Sequence, residues 1–170
     1  MSAMLKEILT NTNKKGMISW METHPEMFDE LVGMALSDDP EYAWRAAWLL
    51  WSCITENDPR IMGRIKDFVD ALPKKPGPQQ RELLILLSKM QIEPEMAGEV
   101  FEYCVQIWIN PTLQASLRYN AFKLMCEVAK IYPGLKSELQ LLLEDDFFTG
   151  LTENVRKSVF RMMKGLERKK

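Results

Sequence analysis

Histidine is nearly missing from this sequence. His24 is the only one in 170 residues, and it stands beside Pro25 at the expected entrance to a helix. Acid-base enzymes usually hold a histidine or a paired carboxylate in a pocket, so His24 is read as an end-of-turn residue. Cysteine is scarce too. Cys53, Cys104 and Cys126 are odd in number, none forms a C-x-x-C pair, and each lies in an apolar helical pattern. They read as buried free thiols, which pack as small hydrophobes, and not as metal ligands or a disulfide. No Gly-rich phosphate loop occurs: KPGP at 75–78 lacks the spacing and the following Lys-Ser/Thr. Hydrolase, kinase and zinc-enzyme motifs are likewise absent. These gaps lower the expectation of an enzyme, and no cofactor or metal is expected. The acidic run Glu144 to Asp146 reads as a solvated face, since hard cations need several converging oxygens.

There is also no apolar run of membrane-spanning length, and the opening MSAMLKEILT has no basic-then-apolar secretion signal. The expectation is a soluble cytoplasmic protein with no membrane partner. A formal net charge of −2 hides an asymmetry: residues 151–170 hold seven Lys/Arg against two Asp/Glu. Two readings stay open there. Lys164, Arg168, Lys169 and Lys170 either complement the dipole of a final helix or form a binding tail.

What the sequence does have is apolar residues, 46% of the chain, arranged in a repeat. The segment EYAWRAAWLLWSCIT, Glu41 to Thr55, reads as a helix apolar nearly all round, with Arg45 its single charge after the first position. Such a helix is normally packed between others. Its pattern recurs at Gln80-Arg81, Leu117-Arg118 and Val155-Arg156, with arginines 36, 37 and 38 residues apart. Apolar residues stand three, four and six positions after each: Trp48, Leu49 and Trp51 in the first, Val159, Phe160 and Met162 in the last. That is one helical stripe used four times. Prolines mark a second series of helix starts at Pro25, Pro59, Pro94 and Pro133, because proline is tolerated in a first turn. Four units follow, each an outer helix that starts at a proline and an inner helix that carries an arginine.

Before the repeats, Ser2 to Leu9 reads as a short helix capped by Ser2, and Asn11 to Gly16 as a turn. Residues 1–24 are expected to cap the first unit, or else to form a mobile partner-binding arm, and 25–170 to form the repeats of a single domain. Of the connections, SDDPE offers Asp39 as a cap, PKKPGP at 73–78 reads as a rigid loop, and NPT at 110–112 as a tight turn. Phe147 and Phe148 are expected to fold back onto the last unit.

The order outer helix, turn, inner helix opening on an apolar-Arg pair resembles the HEAT repeat. Asp39 to Arg45 matches that family's spacing of turn acid and helix arginine. The resemblance covers about 25–166, with units shorter than the roughly 40–47 residues usual for HEAT and armadillo repeats. Tetratricopeptide repeats are nearer in length, but their W-x-x-L-G-x-x-Y pattern is not found. The resemblance implies an all-α right-handed superhelix of about four helix pairs plus an N-terminal capping helix, with the arginines tying units together through turn acids. The armadillo asparagine ladder is not carried over, since its positions read Ala47, Leu83, Asn120 and Ser158. HEAT-like alkylpurine DNA glycosylases use an aspartate with tryptophans, yet the four inner helices here contain no aspartate.

Trp44, Trp48 and Trp51 fall at i, i+4 and i+7, on one side of the first inner helix, while Ala43, Ala47, Leu50 and Ile54 lie on another. Either the tryptophans are buried by neighbours on both sides, or they face a groove with Arg45 and Arg81 beside them. The candidate partner surface comprises Trp44, Arg45, Trp48, Trp51, Arg81, Arg118, Asn120 and Arg156. The expected function is a non-enzymatic scaffold that binds an unidentified protein or peptide on a concave face, as a monomer or weak homodimer. The alternative is a nucleic-acid-binding or base-excising protein of the glycosylase kind, which the acidic balance outside the last twenty residues disfavours.

Overall fold

A computed structural model describes residues 2–168. The fold is all-α, and no strand occurs among the described residues. Contacts divide the chain into two compact units, Met1–Met90 and Gln91–Lys170.

The first unit opens with α1 (Ala3–Asn11) and α2 (Lys14–Thr23). Both starts are capped by side chains: Ser2 Oγ accepts from the Leu5 amide and Asn13 Oδ1 from the Gly16 amide. The expected turn over Asn11 to Gly16 is therefore only Thr12 and Asn13. Asparagine supplies the cap, so the two lysines and the glycine after it become the first turn of α2. A 3-10 turn at Pro25–Met27 leads into α3 (Phe28–Ala35), which buries Phe28, Leu31, Val32 and Ala35. Then comes α4 (Ala43–Cys53), shorter than the Glu41 to Thr55 read from the sequence. Asp39 Oδ1 accepts from the amides of Glu41 and Tyr42, holding them in a turn ahead of the helix.

The second outer element is broken into α5 (Pro59–Met62) and α6 (Ile65–Ala71), followed by a 3-10 turn at Leu72–Lys74. Two residues after that turn, α7 (Gly77–Ser88) begins, so the expected rigid loop at 73–78 is helical at both ends. Helix α4 lies against α2, α3 and α7. Three neighbours account for a helix so poor in charge. Polar residues on and just after α7 close the ends of the first pair: Gln79 Nε2 donates to the carbonyls of Ala35 and Ser37, and Lys89 Nζ to those of Trp51 and Ile54. These carbonyls lie at or just past helix C-termini, where no intrahelical donor remains.

The second unit contains α8 (Pro94–Trp108), α9 (Ala115–Ile131), α10 (Lys136–Leu141) and α11 (Glu153–Arg168). Here α9 is the hub, with α8, α10 and α11 against it. All four prolines singled out from the sequence stand at helix starts, two of them on 3-10 turns. At the tight turn after α8, Asn110 Oδ1 accepts from the Thr112 amide and hydroxyl. Phe148 folds inward as expected, stacked on Phe160 at 5.6 Å and edge-on to Trp108 at 5.5 Å. On α11 the buried stripe is Val159, Met163 and Leu166; Met162, expected on it, is only half-buried. Lys169 and Lys170, two of the expected dipole-complementing residues, lie outside the described residues.

Candidate functional site

Helix α4 sorts its residues by face. Ala43, Ala47, Leu50 and Ile54 are all buried, whereas Trp44 is 38% exposed and Trp48 and Trp51 are half-buried. The open question of the sequence is thereby decided: the tryptophans line a pocket of about 380 Å³ in the first unit. Its floor is aromatic. The rings of Trp48 and Trp51 meet edge to face at 6.0 Å and 71°.

Cations stand over this floor. Arg45 lies 5.2 Å from the Trp44 ring centroid, and Lys14, from the first turn of α2, lies 4.9 Å from that of Trp48. Arg81 reaches the pocket from α7 and pairs at 2.5 Å with its neighbour Glu82. Glu82 is only 2% exposed, and its second oxygen accepts the Trp51 indole N–H at 2.6 Å. A buried carboxylate is thus satisfied from two helices, one bond fixing the Trp51 ring and the other the guanidinium. No ion pair engages Lys14 or Arg45 among the described residues. The lining contains no histidine, cysteine or hydroxyl side chain. It supplies aromatic surface and positive charge.

Sequence reasoning missed Lys14 and Glu82, together with Leu9 and Met17, which complete the lining. Lys14 was hidden in a segment read as a turn. Glu82 had a signal: it is the one acid in a helix whose next residues, Leu83, Leu84, Leu86 and Leu87, are all buried.

The other candidates stand elsewhere. Arg118 is 1% exposed and donates to three backbone carbonyls: Trp108 at 2.9 Å, Thr149 at 2.8 Å and Phe147 at 2.6 Å. Burial pulls its pKa below the usual arginine value. Asn120 is 8% exposed and donates back to the Ser116 carbonyl one turn earlier. Both side chains are thus buried and hydrogen-bonded within the second unit. Arg156 lies over the rings of Phe148 and Phe160 and pairs with Asp145. It also borders a cleft of about 310 Å³ with Phe160, Arg161 and Lys164.

Within each unit the two marked arginines share one place. Arg45 and Arg81 border one pocket, while Arg118 and Arg156 both hold the segment from Asp145 to Thr149. Of these four arginines, Arg156 alone pairs with a turn acid among the described residues. Asp39, expected to face Arg45, is taken by the amides of its own turn and by Lys6 of α1 at 3.5 Å.

Burial raises every thiol: Cys53 to about 11, Cys126 to about 12, and the fully buried Cys104 further still. Cys53, expected to be buried, is only half so. No group of three or more His, Cys, Asp or Glu side chains placed to hold a metal occurs among the described residues. No described helix is long and apolar enough to cross a membrane.

Compared with known proteins, the chain matches neither a curated protein nor a solved structure. A family model described as a HEAT repeat domain matches residues 1–166, which includes the segment ahead of the first proline-marked pair. Helix pairs marked by prolines and arginines, and a family match over nearly the whole length, lead to one conclusion: the chain belongs to the HEAT repeat family.

Proposed function

We propose that this chain is a non-enzymatic interaction module that docks a protein or peptide partner on the tryptophan side of α4. One observation carries the reading. Three tryptophans at helical spacing, Trp44 exposed and Trp48 and Trp51 half-buried, line a pocket on a helix whose opposite side is core, with Arg45 and Arg81 at their rim. Tryptophan and arginine are the side chains that most often dominate binding energy, and large aromatic rings do so at low cost in conformational entropy. Helical-repeat membership is consistent with this, but function resides in the site, not in the repeat.

The test is selection of a random peptide library against the immobilised protein and against Trp44→Ala. Sequences enriched by the wild type and lost with the variant are the expected result. Equal enrichment on both proteins, or none on either, would remove the reading.

A second reading, binding to nucleic acid, is favoured by α11. Lys157, Arg161, Lys164 and Arg168 stand at i, i+4, i+7 and i+11, all exposed. A duplex whose mobility shifts at low salt and recovers as salt rises would support it. The base-excising form has less behind it, because Glu82 is closed off by Trp51 and Arg81.

A further inference from the structure

The charge of the tryptophan pocket runs against that of its surroundings. Residues 1–90 carry eleven Lys/Arg and thirteen Asp/Glu, yet the pocket is bordered by Lys14, Arg45 and Arg81 and by a single carboxylate. That carboxylate, Glu82, is already engaged on both oxygens. A bound anion would therefore meet uncompensated positive charge, and a bound cation would be repelled.

Ring faces point the same way. Open tryptophan faces attract ammonium groups, as in aromatic cages for methylated lysine. Here the chain's own Arg45 and Lys14 already stand over Trp44 and Trp48. A cationic ligand would have to displace them, whereas an anionic one leaves them in place and pairs with them. The pocket's size, about 380 Å³, is at the small end of ligand sites. It suits one or two side chains.

From this charge complementarity we infer that the pocket selects an acidic peptide segment. An Asp or Glu carboxylate faces Lys14, Arg45 and Arg81, and a neighbouring apolar side chain lies against Trp44 and Trp48. This rests on the reading of the chain as an interaction module and adds the chemistry of its partner. Carboxylate recognition by arginine is charge-assisted and can be bidentate, and the rings beside it limit screening by water.

Three blocked pentapeptides serve as probes, carrying Asp beside Leu, Asn beside Leu, and Lys beside Leu; an oligothymidylate is the fourth. Binding is followed by intrinsic tryptophan fluorescence and calorimetry on the full chain. The Asp peptide is expected to saturate the signal and to bind roughly tenfold more tightly than the Asn peptide, with the difference shrinking as salt rises from about 0.05 M to about 0.5 M. Arg45→Glu and, independently, Lys14→Glu are expected to abolish the preference while thermal unfolding is unchanged. Equal binding of the Asp and Asn peptides, tighter binding of the Lys peptide, or no binding of any peptide overturns the inference. Tighter binding of the oligothymidylate overturns it in favour of nucleic acid. A Trp44-dependent library selection that enriches neutral or basic sequences would sink this inference alone, whereas a selection with no Trp44 dependence would sink the interaction reading with it.

Discussion

The indole N–H of Trp51 on α4 and the carboxylate of Glu82 on α7 are joined at 2.6 Å across 31 residues of sequence. This bond sets the plane of one wall of the pocket, and the other oxygen of Glu82 sets the direction of Arg81. Packing of the first two helix pairs and the geometry of the candidate site thus depend on the same side chain.

Glu82→Ala leaves the Trp51 indole N–H without its acceptor and frees Arg81. The expected loss is about 2 kcal/mol, the usual scale for a buried polar group deprived of a charged partner. A denaturant midpoint compared with that of Arg81→Ala, which leaves the Trp51 bond intact, checks it: the Glu82 variant is expected to be the weaker of the two.

Arg118 and Arg156 occupy equivalent repeat positions but differ in burial, so their alanine variants are expected to differ sharply. Arg118→Ala strips donors from three carbonyls at once and should cost roughly 3 kcal/mol or more. Arg156, about a third exposed, pairs with an Asp145 that is largely in water. Its loss should cost less than about 1 kcal/mol. Chemical denaturation of both variants decides the matter, and equal losses would contradict the assignment.

Asp58 caps α5, and the Arg60 guanidinium beside it holds its carboxyl at about 2, below the usual 3.8. The folded value is depressed, so this stabilisation is complete above the ordinary carboxylate range. It is lost as pH falls from about 4 through about 2. Asp58→Ala should therefore lower the thermal midpoint at neutral pH, through a cap worth about 1 kcal/mol. The gap to wild type should close across that acid window.

The raised thiols give a chemical prediction. With Cys53 pushed up to about 11 and Cys126 to about 12, almost no thiolate exists near pH 7.5. An aromatic disulfide reagent should titrate three thiols promptly only in denaturant. In the native protein Cys53, half-buried, should be the first to react, with Cys104 and Cys126 protected.

Much of the scaffold was readable because its signals are local. A proline needs no partner for a missing N–H in a first turn, so Pro25, Pro59, Pro94 and Pro133 mark helix starts without reference to the rest of the chain. The site was legible only in part. Spacing placed the three tryptophans on one side of α4, but which side neighbours cover depends on α2 and α7, far off in sequence. Equal offsets also made Arg81 and Arg118 look alike. Their fates diverge because Arg118 is held by the carbonyls of Phe147 and Thr149, and a backbone carbonyl leaves no mark on residue type. Lys14 escaped for a related reason: Asn13 caps α2 and carries Lys14 into its first turn, over the ring of Trp48.

The five tryptophans give five indole N–H resonances, which allow the claim about the pocket to be read residue by residue. The decisive measurement is a nuclear magnetic resonance titration of those signals with the Asp-Leu pentapeptide. The signals of Trp44 and Trp48 are predicted to move together and saturate. That of Trp108, fully buried and bonded to the Leu142 carbonyl at 3.0 Å, should stay in place. Stationary Trp44 and Trp48 signals at saturating peptide, or movement confined to Trp20 or Trp108, would contradict the account.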